Sequence, residues 1–251
     1  MNSYGMETTP ARQYWQESAR PLSSLVFVIP MLLVYELGII WQGPAAMRNG
    51  ADVWLRTLLD MLGFGQYILL PLLTCGILLA WHHISQSPWR VSPAVVVTML
   101  PESLFFGGLL LLAAHLQAAW FVRLEWPVAA TMADLGVLEQ LVGYFGAGIY
   151  EELLFRLMLL PITAYLLRWA GESTSDSWLT AAVLTSLVFS AAHYQLFTGH
   201  GDVFSWYSFF FRTLAGLFFA TLFLVRGFGI AAGAHTAYDV MAGMFNAIVG
   251  P

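Results

Sequence analysis

The sequence contains no lysine; all ten of its basic residues are arginine. That absence excludes Schiff-base chemistry and Ser–Lys dyads. The arginines are scattered, so they form no polybasic lipid-binding surface, and no nucleic-acid partner is expected. Cysteine occurs once, as Cys75 within an apolar run. An intramolecular disulfide is therefore excluded, and Cys75 reads as a small buried residue rather than a nucleophile. Charge of either sign is scarce, at 10% of residues, against roughly 25% in an average soluble protein. The zinc-protease string His-Glu-x-x-His is missing, as are internal repeats and low-complexity tracts. No cleavable signal peptide is expected, because the first apolar run is long enough to span a membrane and to stay as a helix.

What the chain does have is apolar residues, at 59% of its 251 positions, in runs too long for a soluble core. Pro21 to Trp41 and Ala94 to Val122 are nearly charge-free, and about 20 apolar residues span a bilayer as a helix. The pattern predicts an all-α, polytopic membrane protein embedded in the lipid bilayer, of the plasma membrane if the chain is bacterial. About seven spans are expected, near 22–41, 66–83, 94–120, 137–169, 178–197, 204–226 and 230–249. Ala51 to Leu62 alternates polar and apolar residues at helical spacing and ends at Gly63. It reads as an amphipathic helix at the interface. The expected organisation is a polar tail (1–21), an accessory transmembrane region (22–136) and a core (137–251). The arginine distribution favours a cytoplasmic N-terminus. The 137–169 stretch would run about 50 Å as a helix, longer than a hydrocarbon core of about 30 Å. It must tilt, break near Gly146–Gly148, or project from the membrane.

Chemistry concentrates in the second half. Glu151-Glu152-Leu153-Leu154-Phe155-Arg156 lies inside an apolar helix. Each such charge costs about 2.5–3.5 kcal/mol at the bilayer centre. Three cost about 8–10 kcal/mol, against about 2–4 kcal/mol returned by the apolar neighbours between Leu153 and Leu160. The charges must pair or face a wet cavity. Glu152 and Arg156 are spaced i,i+4 with the acid first, the preferred order for an ion pair on one helix face. Glu151 points about 100° away, with no partner in its own helix. Glu152 thus reads as structural and Glu151 as available. His193 ends Phe189-Ser190-Ala191-Ala192-His193 in the next expected span. His235 and Asp239 lie i,i+4 in the last one, where a carboxylate can orient an imidazole. Each group alone also has a bland reading, as an ion pair or as interhelical glue.

At these residues the sequence resembles the CAAX prenyl protease 2 and bacteriocin-processing (CPBP) family of intramembrane endopeptidases. The family pattern of Glu-Glu-x-x-x-Arg, Phe-x-x-x-His and His-x-x-x-Asn/Asp is met in order. Glu151, Glu152 and Arg156 supply the first motif, Phe189 and His193 the second, His235 and Asp239 the third. Gly216 stands between the second and last motifs, where the family favours a small residue. The resemblance covers residues 137–251. It implies hydrolysis of a peptide bond in a membrane-embedded or lipid-anchored peptide or protein, without a cofactor. It further implies Glu151 as the general base that activates a water and His193 as a residue helping to hold it. His235 and residue 239 would stabilise the oxyanion, while Glu152, Arg156 and Phe189 support the site. Asp239 stands where the prenyl proteases carry asparagine. It either donates a hydrogen bond when protonated or, when ionised, pairs with His235; the i,i+4 spacing favours the pair. The alternative mechanism is zinc-dependent, with Glu151, His193 and His235 as ligands, a legitimate catalytic set.

Other classes remain to be weighed. An intramembrane aspartyl protease would use Tyr238-Asp239 and Gly199-His200-Gly201-Asp202, but these come in reversed order and Asp202 falls in a polar loop. The only Gly-x-Ser offered for a serine protease, Gly171-Glu172-Ser173, is also in a loop. A non-catalytic scaffold, an immunity factor or a small transporter would give Glu36 and Glu102 a place along a translocation path; both could equally support the cavity around Glu151.

Overall fold

A computed structural model describes residues 9–44, 46–65, 68–123, 136–194 and 201–249. The start of the expected polar tail and the Gly199-His200 pair lie outside the described residues. The described chain is helical throughout, and its one bridge, between Tyr194 and Asp202, stands outside any strand. In chain order the helices are α1 (Pro10–Ser18), α2 (Pro21–Gln42), α3 (Gly50–Met61), α4 (Leu69–Ile84) and α5 (Pro93–Arg123). Then follow α6 (Val137–Gly146), two π-helical turns (Ala147–Glu151 and Leu153–Leu159) and α7 (Leu160–Trp169). The chain closes with α8 (Thr174–Ala191), α9 (Trp206–Arg226) and α10 (Phe228–Val249).

Local chemistry sets the helix ends. Proline opens α1 and α2 at the first turn, where its missing N–H costs nothing. Asn49 caps α3 by accepting from the backbone N–H of Ala51 and of Asp52, and Ser173 caps α8 by accepting from Asp176. Gly43 and Gly227 end α2 and α9 with φ of +83° and +84°, a backbone region that favours glycine.

Among the described residues, three helices are long and apolar enough to cross a membrane: Pro21–Gln42, Pro93–Phe121 and Trp206–Arg226. Leu69–Ile84 is apolar but shorter. The core centres on the first half of α10, where Phe228, Ile230, Ala231, Ala232 and Ala234 are fully buried. Small residues let neighbours approach closely, the usual device for helix packing without a hydrophobic driving force. A Cβ on Gly107 of α5 would lie 2.8 Å from the backbone nitrogen of Tyr238. The same addition at Gly229 of α10 would meet Ser24 of α2 at 2.9 Å.

Helix α3 turns Asp52 inward and leaves Thr57 and Asp60 exposed. Asp52 is fully buried, while Val53, Leu58 and Met61 are exposed. Its amphipathicity therefore serves an interior ion-pair network as well as an apolar outer face.

The 137–169 stretch neither breaks nor loses helical hydrogen bonding. It continues as one rod that loosens into π-helix at Ala147, immediately after Gly146. Two other expected boundaries are corrected. Helix α8 stops at Ala191, so His193 lies in the turn beyond it rather than inside a span reaching 197. Helix α10 begins at Phe228, and the turn that precedes it is sunk into the protein. Gly227 packs on Ala19, and the Gly229 N–H donates to Ser24 Oγ at 2.9 Å. Leu196 and Phe197 are apolar in sequence and extend the apparent run, which is why the expected span ends later than the helix.

Candidate active site

The two π-helical turns carry the Glu-Glu-x-x-x-Arg string. A π turn adds a residue to the helical repeat and re-aims the side chains after it, and such turns cluster at functional sites. Gly148 permits the close approach on which the site depends. A Cβ there would fall 2.7 Å from the carbonyl oxygen of Ala232 and 3.0 Å from the backbone nitrogen of Thr236. The rod and α10 thus meet backbone to backbone, which brings Glu151 and Glu152 beside His235.

Glu152 is fully buried and Arg156 is 2% exposed. Their ion pair closes at 3.1 Å. The same guanidinium donates to the Gly216 carbonyl at 3.2 Å and lies 4.3 Å from the centre of the Phe189 ring. Gly216 must be small because a Cβ there would meet Ser186 at 2.8 Å. Phe189 also packs edge-on against His193 at 4.9 Å, which makes it the wall between the arginine and the imidazole.

Glu152 has a second partner that its spacing with Arg156 does not disclose. His235 Nδ1 lies 2.7 Å from Glu152 Oε1, and the ring stacks on Phe219 at 4.4 Å. The carboxylate that orients His235 through Nδ1 is therefore Glu152. Asp239 does reach the same ring, as the i,i+4 spacing suggests, but on the other nitrogen, with Oδ2 3.6 Å from Nε2.

Around Glu151 the donors and acceptors do not balance. Glu151 is 8% exposed. Its Oε1 accepts from Asn49 Nδ2 at 2.7 Å, and its Oε2 has no hydrogen-bond partner in the protein. That orphan oxygen lies 3.7 Å from His193 Nε2 and 3.8 Å from His235 Nε2, beyond direct hydrogen-bond distance. His193 Nδ1 sits 2.8 Å from the Phe189 carbonyl, which only accepts, so Nδ1 carries the proton. His235 Nδ1 faces a carboxylate and is fixed in the same way. A neutral His193 then presents its Nε2 lone pair beside the Glu151 oxygen, two acceptors around one point, with His235 Nε2 on the same side. A group with protons to give, or a cation, is what satisfies them.

The site opens on a cavity of about 280 Å³ lined by Asn49, Ala51, Trp54, Glu151, Phe155 and His193, among others. Asn49, Ala51 and Trp54 come from the region read as accessory, and sequence reasoning missed them. The one signal available was the Asn49-Gly50-Ala51-Asp52 helix start, which marks a cap and says nothing of Glu151. Glu36 and Glu102 are both paired. Glu36 accepts from Arg56 at 2.9 Å and from Tyr150 at 2.5 Å. Glu102 is bound by Arg226 at 2.6 and 2.8 Å and by the Tyr14 hydroxyl. Asp202 is held by Arg212 at 2.5 Å, an ion pair that an aspartyl dyad would have to give up.

The donor types of Glu151, His193 and His235 suit zinc. Among the described residues, however, no group of three or more His, Cys, Asp or Glu side chains has the arrangement of a metal site.

Residues 133–241 match the family described as type II CAAX prenyl endopeptidase, Rce1-like. No curated protein matches the chain, and no solved structure does.

Proposed function

Since residues 133–241 belong to the type II CAAX prenyl endopeptidase family, we propose that the protein is an intramembrane endopeptidase in which Glu151 activates a water. The observation that carries this reading is the orphan Glu151 Oε2 set between two imidazole Nε2 atoms, at 3.7 and 3.8 Å. A water at that point donates its protons to Glu151 Oε2 and His193 Nε2, and its lone pair is left for a carbonyl carbon. As the C–O bond forms, Glu151 takes a proton from the water, general-base catalysis of the usual kind. Negative charge then gathers on the former carbonyl oxygen. His235, protonated on both nitrogens and anchored through Nδ1 by Glu152, donates from Nε2 to that oxyanion, with Asp239 beside it. Collapse of the intermediate breaks the C–N bond, and the proton held by Glu151 passes to the leaving amine.

In this reading α2, α4, α5, the 137–169 rod, α8, α9 and α10 are seven membrane passes, and the substrate is a membrane-held peptide of the prenylated CAAX class. A translocation path finds less support, because Glu36 and Glu102 are committed to ion pairs. The test uses an internally quenched peptide ending in a prenylated CAAX sequence, with the protein in detergent or native membranes. Glu151→Gln and His193→Ala are expected to abolish cleavage while the thermal midpoint holds. A fully active Glu151→Gln protein would overturn the assignment.

A further inference from the structure

The two oxygens of Glu151 have different surroundings. Oε2 faces the histidines, whereas Oε1 receives a single hydrogen bond at 2.7 Å from Asn49, 102 residues earlier in the chain. We propose that Asn49 is a positioning residue, whose side-chain amide pins Oε1 so that Oε2 is held toward His193 and His235. The inference rests on the reading of Glu151 as the general base.

The amide is oriented by two independent constraints. Its Oδ1 accepts from the backbone N–H of Ala51 at 2.9 Å and of Asp52 at 3.4 Å. The nitrogen is then the atom left to face a carboxylate, and donation is the only bond it can make there. Capping α3 needs just the oxygen, and serine or aspartate would supply it as well. The N–H half of the side chain adds nothing to the cap; its bond is to Glu151.

Asn49 is itself fixed on both flanks. Its backbone N–H donates to the Tyr35 hydroxyl at 3.2 Å, and Tyr35 donates to the fully buried Asp52 at 2.9 Å. Asp52 pairs with Arg48 at 2.8 Å and with Arg56 at 2.6 Å. Arg56 pairs in turn with Glu36 at 2.9 Å, and Glu36 accepts from Tyr150, the residue preceding Glu151. The chain of bonds leaves the α2–α3 region and returns to the catalytic helix one residue from where Asn49 touches it. Such a closed path holds the Asn49–Glu151 distance without relying on the single bond between them. A carboxylate fixed at one oxygen cannot rotate its other oxygen off the water, and general-base catalysis is sensitive to that alignment.

The test separates cap from positioning. Asn49→Ser and Asn49→Asp both keep an oxygen for the α3 cap, and both remove the N–H donor. Rates are measured on the quenched prenylated CAAX peptide, beside thermal midpoints and Glu151→Gln as control. Asn49→Ser is expected to keep the wild-type midpoint and KM and to lose about 10–100-fold in kcat, the usual cost of losing an orienting partner. Asn49→Asp loses more, because a carboxylate then faces a carboxylate. Wild-type kcat in both variants, with Glu151→Gln inactive, overturns the inference and leaves the general base standing. An active Glu151→Gln overturns both.

Discussion

Replacing Arg156 by alanine tests how the buried charges are held. The side chain is 2% exposed and makes an ion pair to Glu152 at 3.1 Å, a hydrogen bond to the Gly216 carbonyl at 3.2 Å and a cation–π contact with Phe189 at 4.3 Å. These interactions are not summed, since the loss is dominated by stranding the partner charge. Glu152, fully buried, would keep only His235. Breaking a buried pair from one side costs about 3–5 kcal/mol. For a chain of this size each kcal/mol moves the thermal midpoint by about 2–4 °C, so Arg156→Ala should fall by about 6–20 °C. The measurement is thermal unfolding in one detergent. Adding Glu152→Gln to Arg156→Ala removes the stranded charge, and the double variant should regain more than half of the lost stability, since buried pairs are often replaceable as a pair. Its activity should be lost, because Glu152→Gln takes from His235 the carboxylate that orients Nδ1. An Arg156→Ala protein with the wild-type midpoint, or a double variant less stable than the single, would refute the reasoning.

Three further outcomes follow from the same geometry. Asp239→Asn should stay within about tenfold of wild type at neutral pH, because Glu152 and not Asp239 holds His235 Nδ1; a fall toward the about 10⁴-fold cost of a wrong tautomer would show that Asp239 sets the ring after all. Purified protein treated with a strong chelator is expected to keep its rate on the quenched peptide; loss restored stoichiometrically by zinc would make Glu151, His193 and His235 metal ligands. Gly148→Ala should destabilise the protein by about 1–3 kcal/mol through overpacking against Ala232 and Thr236, with activity falling as the rod is pushed off α10; an unchanged midpoint and rate would mean the two helices separate freely there.

What was legible in the sequence was whatever lies within one helix or one ordered motif. The Glu152–Arg156 pair followed from i,i+4 spacing, and of the tilt, break near Gly146–Gly148 or projection expected of the overlong helix, the break is replaced by a loosening into π turns at that point. The alternation at 51–62 revealed α3 but not the direction of its polar face, because periodicity reports that two faces differ and not which one the protein covers. Less legible were contacts across distance. The bond that orients His235 comes from a glutamate 83 residues away. The spacing had offered Asp239, the only carboxylate within reach on its own helix. A local rule finds the local partner, and here a second partner from another helix takes the opposite nitrogen.

Asn49 shows the same limit in the other half of the chain, and it bears on what an accessory region means here. Residues 22–136 lie outside nearly all of the family match, yet they supply one side of the Glu151 carboxylate, part of the cavity wall and the Glu36 and Arg56 pair behind Tyr150. Helix α5 lies along α10 closely enough that a methyl on Gly107 would strike the backbone beside Asp239. A motif-bearing helix in a membrane cannot rely on water to hold its unpaired carboxylate. Some other part of the protein must do so, from whichever direction packing provides. The motifs bring Glu151, His193 and His235 together, and under the proposed mechanism the packing around them decides which oxygen of Glu151 meets the water.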